Sequence, residues 1–201
     1  MKKNKGFTLI ETMVALGMIV LISIAVATFQ TNIFRFNKYT KDVIESAQDS
    51  RAIIATMVKE MRSMSPSGNG AYPISSVATS TLTFFSDIDG DTKMEQVRYF
   101  LTGNVLKKGV IASTGNPPVY NPASEVITTL AYNLKNSSTT PLFEYYDTNY
   151  AGTSSPLTYP VNITSIRLIR TNLLIDADPN RSPIPRLYTS TATLRNLKDN
   201  L

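Results

Sequence analysis

The chain has no cysteine and no histidine among its 201 residues. Without cysteine there are no disulfides, no thiol nucleophiles and no thiolate metal ligands. Without histidine, imidazole metal sites and the commonest general base are gone as well. No phosphate-cradling glycine loop and no dinucleotide glycine pattern occurs, and no internal repeat is evident. Remaining carboxylates such as Glu125, Glu144 and Asp147 read as solvated strand-edge or loop groups. Asp176, Asp178 and Arg181, beside Pro179 and Pro183, read as turn formers. No catalytic constellation is left, so the chain does not read as an enzyme. The lack of cysteine is compatible with a location outside the cytoplasm, where packing would hold the fold. Proline is missing from the first 65 residues: the first is Pro66, and Gly17 is the only weak point in the apolar run 7–29.

Charge of one sign is scarce there too. Glu11 is the only acidic residue before Asp42, and no base occurs between Lys5 and Arg35. Residues 7–29 are almost purely apolar, and about 20 apolar residues suffice to cross a bilayer as helix. A carboxylate inside such a helix is costly and marks a function with a specific partner. The net charge is +5, but Lys2, Lys3 and Lys5 carry much of the excess. Their removal leaves 17 bases against 15 acids. No basic block survives, so bulk charge gives no reason to expect a nucleic-acid partner.

The segment Lys5-Gly6-Phe7-Thr8-Leu9-Ile10-Glu11, followed by the apolar run, resembles the class III signal of type IV pilins and type II secretion pseudopilins. The resemblance implies cleavage between Gly6 and Phe7 by a prepilin peptidase and N-methylation of the new Phe7 amine. It implies assembly from the membrane through Glu11, paired with a Phe7 amine of the same or a neighbouring subunit. Its partners would be other pilin or pseudopilin subunits, the peptidase, an inner-membrane assembly platform and, before assembly, membrane lipid. The lysines of the leader keep the N-terminus cytoplasmic. The chain would then be a single-pass inner-membrane protein with its head outside, and later part of a periplasmic or surface filament. A plainer reading stands beside this one. Lys2, Lys3 and Lys5 also form a secretory n-region, and Ala25-Val26-Ala27 is a cleavage-like triplet, giving a secreted binding module that starts at Thr28. A membrane-anchored binding module, or a competence pseudopilin serving DNA uptake, is the other alternative.

Apolar residues continue at Ile33, Phe36, Val43, Ala47, Ile54, Met57, Met61 and Met64, which is one helical stripe. The spacing predicts a single helix from about Phe7 to about Met64, a rod roughly 85 Å long, stopped by Ser65-Pro66-Ser67-Gly68. Beyond Gly70 the pattern becomes short β-like runs. Strands are expected at 81–85, 96–101, 105–110, 142–146, 163–175 and 187–197, with Gly103-Asn104 as a tight hairpin turn. Residues 126–134 fit a strand or a short helix, 115–122 a loop, 153–160 a surface segment, and 176–185 a polar connection. The predicted fold is α+β, the pilin-like class: a long N-terminal helix, transmembrane in its first half, on an antiparallel β-sheet head. The expected divisions are a leader 1–6, a membrane and filament-core helix 7–29, its amphipathic continuation 30–65 and a β-rich head 66–201. Within the family, Lys59-Glu60-Met61-Arg62, Val97-Arg98-Tyr99-Phe100-Leu101, Val105-Leu106-Lys107-Lys108-Gly109 and Phe143-Glu144-Tyr145-Tyr146 resemble J-type minor pseudopilins. Tyrosines 145, 146, 150 and 159 read as an aromatic strand packed on the helix, or as a partner surface.

One acidic loop stands out. Asp87, Asp89, Asp91 and Glu95 surround Gly90, and oxygen ligands at that spacing suit calcium, which takes six to eight of them. The loop departs from the EF-hand pattern: its glycine falls early, at position four instead of six, and Arg98 stands at the closing position. Asp89-Gly90 is also a favoured hairpin dipeptide, so a solvated turn is the competing reading. No other cofactor is expected.

Overall fold

A computed structural model of the chain describes residue 6, residues 8–177 and residues 185–194. Two compact units divide it, residues 1–44 and residues 45–201. Helix α1, Leu9–Arg62, belongs to both. In the first unit its side chains are exposed over long apolar stretches, from Leu9 (78%) to Phe29 (66%). A stretch of α1 is long and apolar enough to cross a membrane, with a mean hydropathy of 2.4.

In the second unit the helix becomes amphipathic. Ile54, Met57, Val58 and Met61 are buried at steps of three, one and three, while the residues between them stay mostly outside. The helix stops at Arg62, before Pro66, which lacks the N–H that another turn needs. Ser63 closes it: its Oγ donates to the Glu60 carbonyl at 3.0 Å, and hydroxyl meets hydroxyl at Ser86, 2.8 Å away.

Eight strands follow: β1 (Ile74–Val77), β2 (Thr81–Ser86), β3 (Glu95–Thr102), β4 (Val105–Ile111), β5 (Val126–Ala131), β6 (Phe143–Tyr146), β7 (Leu168–Ile175) and β8 (Arg186–Thr193). They make two antiparallel sheets, β1-β2-β3-β4-β5 and β6-β7-β8. Gly103 at the β3–β4 turn has φ +57, which a glycine at the first central position of a two-residue hairpin supplies without strain. One face of the larger sheet carries Leu82, Phe84, Val97, Tyr99 and Leu106, all fully buried with Met57 and Met61 of the helix. Burying each such side chain is worth about 1.5–3 kcal/mol. Tyr145, Ile169, Leu173 and Ala192 of the smaller sheet complete the same core. The architecture is therefore the expected α+β, pilin-like one: a long N-terminal helix, apolar in its first part and packed on antiparallel sheet through Ile54, Met57, Val58 and Met61.

The structure differs from the sequence reading in several places. The head has two sheets rather than one. After β5 the chain turns at Asn133 (φ +60) and is stitched to β7 by the Leu134–Ile175 bridge. Asn136 then clamps the corner, donating to the carbonyls of Thr140 and Asn172 at 3.1 and 2.8 Å. Tyr145 closes the seam by donating from its OH to the Ala78 carbonyl at 2.9 Å. Of the two readings offered for residues 126–134, strand holds, over Val126–Ala131. Strand β1 was not anticipated, and β7 starts at Leu168. Ahead of it Ile163–Ser165 is a 3-10 turn, because the Asn162 side chain accepts from the Thr164 N–H at 3.1 Å. In the surface segment 153–160, Leu157 packs against the core and its N–H donates to the Tyr145 carbonyl at 2.8 Å. Asp178, Pro179, Arg181 and Pro183 lie outside the described residues, as do residues 195–197 of the expected last strand.

Candidate functional site

Two places carry the residues singled out from sequence. The first is the start of α1. Thr8 is the N-cap and Glu11 the third helical residue, the spacing of a capping box. Glu11 Oε2 accepts from the Thr8 N–H at 2.8 Å and from the Thr8 hydroxyl at 2.9 Å. In return the Glu11 N–H donates to Thr8 Oγ1 at 3.3 Å. Two helix-end N–H groups that would otherwise lack a partner are satisfied in this way. The carboxylate is folded back along the helix onto Thr8. Gly6 is exposed, with no heavy atom within 4 Å of where a Cβ would stand. Phe7 lies outside the described residues. Ile10, Val14, Ala15 and Met18 line a shallow apolar groove beside Glu11.

The second place is the loop between β2 and β3. Oxygens of Asp87, Asp89 and Glu95 lie within 4.8 Å of one another. The loop's own N–H groups hold them there. Asp87 accepts from Gly90 at 2.6 Å and from Thr92 at 3.0 Å. Asp89 accepts from Asp91 at 3.2 Å, and Glu95 Oε2 accepts from Ile88 at 3.0 Å. The turn needs left-handed backbone at Gly90 (φ +84) and at Thr92 (φ 70). Asp91 stands outside the trio, accepting from the Lys93 N–H at 2.8 Å and facing the Lys93 ammonium at 3.7 Å. Glu95 is only 5% exposed. Burial pushes its carboxyl above the ordinary glutamate value against the Ile88 hydrogen bond, and the neighbouring charges of Asp89, Asp91 and Asp87 add to the rise.

Three polar centres were missed or misread. Glu60, buried on the helix, accepts from the Tyr99 OH and from the Lys108 ammonium, each at 2.6 Å. Burial, then the Glu60 charge, raises the Tyr99 hydroxyl far above its usual range. Lys108 shares a strand face with Leu106 and Val110, and a lysine between two apolar neighbours was the readable signal. Glu125 is not solvated: Arg98 grips it bidentately at 2.8 and 2.6 Å. Gly109 makes that possible, since a Cβ there would run into Glu125 Oε1. Glu144 likewise pairs with Arg170 at 3.3 Å. Asp147 does sit in a loop, accepting from the Asn149 N–H at 2.9 Å. Tyr145 and Tyr146 are buried, whereas Tyr159 remains 44% exposed.

Comparison with known families finds the prokaryotic N-terminal methylation motif over residues 1–27. No curated protein and no solved structure matches the chain. The motif supports a type IV pilin-like precursor, a structural subunit rather than an enzyme. It implies processing by a prepilin peptidase and assembly with other pilin subunits. Together with the apolar helix, it suits single-pass membrane anchoring.

Proposed function

We propose that the chain is a minor pilin or pseudopilin, a structural subunit of a type IV pilus or type II secretion-like filament. The observation that carries this reading is the methylation motif on residues 1–27, continuous with a helix whose third residue is a carboxylate in apolar surroundings. A prepilin peptidase cuts between Gly6 and Phe7, and the freed Phe7 amine is methylated. Glu11 already leans toward that end of the helix through Thr8. The new amine stands four residues back along the chain, so Glu11 can pair with it or with the amine of a staggered neighbour. A subunit out of register leaves a charge unpaired in an apolar bundle, which disfavours it. The head, by its resemblance to J-type minor pseudopilins, belongs on the secretion side of the family.

N-terminal sequencing of the mature protein tests the processing. The result expected is N-methylphenylalanine at position 7, while a start at Thr28 indicates ordinary secretion. Gly6→Val should abolish cleavage altogether, because the backbone before the scissile bond must fit a narrow cleft. A normal mature mass for that variant would sink the reading.

A second function is favoured by the carboxylate trio. Oxygens within 4.8 Å of one another fit ligands of one calcium ion, whose Ca–O bonds run about 2.3–2.6 Å. Burial first and then the charges of the three aspartates raise Glu95, and a cation would neutralise those charges. Asp87, Asp89 and Glu95 would hold the ion and tie the β2–β3 loop together. Melting in millimolar calcium against chelator tests this: a gain that Asp89→Ala abolishes is expected, and indifference to calcium leaves only a turn.

A further inference from the structure

We propose that Arg35, Lys38 and Lys41 form a basic collar on α1 that binds anionic phospholipid headgroups, in the leaflet opposite the leader. The inference rests on the reading that the apolar run crosses the membrane.

Sign segregation is the first observation. From residue 12 to residue 41 the chain has no acidic residue, and its only charges are these three bases. The next stretch, 42–51, interleaves Asp42, Glu45, Asp49 and Arg51 as a solvated helix face does. A face kept soluble by charge alone has no need to place one sign first and the other afterwards.

Placement on the helix is the second. The whole segment is continuous α-helix. Bases three residues apart advance 300° per step, so the three cover about a third of the circumference. Phe29, Ile33 and Phe36, at steps of four and three, occupy the opposite face, exposed at 66%, 41% and 67%. Phe34, 71% exposed, shares the arc of the bases, so apolar and basic groups stand side by side there, as side chains at a bilayer boundary do.

Depth is the third. Arg35 is six residues past Phe29, about 9 Å of rise. The headgroup layer is roughly 5–8 Å thick on each side of the hydrocarbon core. Long basic side chains reach back toward it along their stems. Arg35 and Lys38 thus meet the phosphates, and Lys41 feels the surface potential, which decays over about 8–10 Å. Basic residues on the translocated flank also run against the usual bias of membrane proteins.

The consequence is a resting position. Before assembly the collar fixes how deep the helix sits, and leaving the bilayer for a filament requires releasing the headgroups.

The test uses the full-length chain reconstituted in phosphatidylcholine vesicles, with trace spin-labelled phosphatidylglycerol or spin-labelled phosphatidylcholine. Electron paramagnetic resonance then reads the fraction of each label held at the protein. The wild type should prefer phosphatidylglycerol at least about five-fold more than the triple variant R35Q/K38Q/K41Q, with salt shrinking the difference. Lys2, Lys3 and Lys5 are common to both chains, so the difference belongs to the collar. Equal selectivity of the two chains overturns the proposal. Equal selectivity with filament incorporation lost in the variant overturns it too, in favour of the acidic stretch of a second subunit as partner. Release of the wild type by alkaline carbonate would instead fail the membrane-spanning reading, which separates the two claims. Unchanged melting of the head in the variant shows that the substitutions leave folding intact.

Discussion

Glu11 and Glu60 belong to one helix and live in opposite surroundings. Glu11 sits among exposed apolar side chains, and its hydrogen bonds go to Thr8, three residues away. Glu60 sits in a packed interior, with partners 39 and 48 residues along the chain, Tyr99 and Lys108. The apolar surface around Glu60 has found its sheet. The apolar surface around Glu11 is exposed. The same residue type therefore stands in two roles: Glu60 ties the helix to the sheet, and Glu11, on the function proposed above, pairs where subunits meet. A buried ion pair specifies geometry more surely than it adds stability, because desolvation offsets much of the attraction. Its loss is nevertheless costly once one partner is left behind.

That contrast can be broken from either side. Glu11→Ala should be cleaved and anchored normally, yet enter filaments at least about tenfold less, the equivalent of losing roughly 1.4 kcal/mol of pairing. Its head should melt at the wild-type temperature. Filament yield equal to wild type would remove Glu11 from assembly, and a lowered melting temperature would show that the two glutamates are not separate in role.

Glu60→Ala should do the reverse. It strands the Tyr99 hydroxyl and the Lys108 ammonium inside the head, at a cost of about 3 kcal/mol. Thermal melting of the full chain in micelles should fall by about 6–12 °C. Glu60→Gln keeps an acceptor for Tyr99 and should lose about half as much. Equal effects of the two substitutions would mean that the Tyr99 hydrogen bond contributes nothing and that the ion pair with Lys108 carries the whole loss.

Legibility in the sequence followed the range of the interactions. The helix was readable because its cause is local: no proline before Pro66, an apolar run and a single stripe. Strands β2, β3 and β4 were readable from alternation and from Gly103-Asn104. Strand β1 was not, because Ile74 is its only buried residue and Ser75-Ser76 carry no pattern. The split into two sheets was hidden as well. It depends on the turn at Asn133, whose carbonyl accepts from the Asp176 N–H, and on Asn136 and Tyr145 finding carbonyls far along the chain, and nothing in their neighbours announces that. Glu60, Glu125 and Glu144 looked like surface charges because their partners are distant in sequence. The acidic loop was legible as a cluster, but which of its carboxylates converge was set by turn geometry: Asp91 turned to Lys93 and left the trio.

The smallest expected effect separates turn from calcium site, and it extends the same contrast to a third glutamate. Glu95 is buried like Glu60 but, among the described residues, faces three aspartates and no base. Its carboxyl is raised, so the native state keeps a proton at pH values where the unfolded chain has lost it. The stability from this group is complete below the ordinary glutamate range and is lost as pH rises through the raised value. At neutral pH without calcium, the charged Glu95 therefore weakens the head. Glu95→Gln keeps an oxygen for the Ile88 N–H and removes the charge. In chelator at neutral pH the variant should melt higher than wild type by about 1–3 °C, and the gap should close as the pH falls below about 4. Millimolar calcium should invert the order, because the wild type gains a ligand that glutamine supplies only weakly. Differential scanning calorimetry on the two chains in both buffers reads the crossing. If wild type stays below the variant in calcium as it does in chelator, the three carboxylates hold no ion and the loop is a turn strained by its own charge.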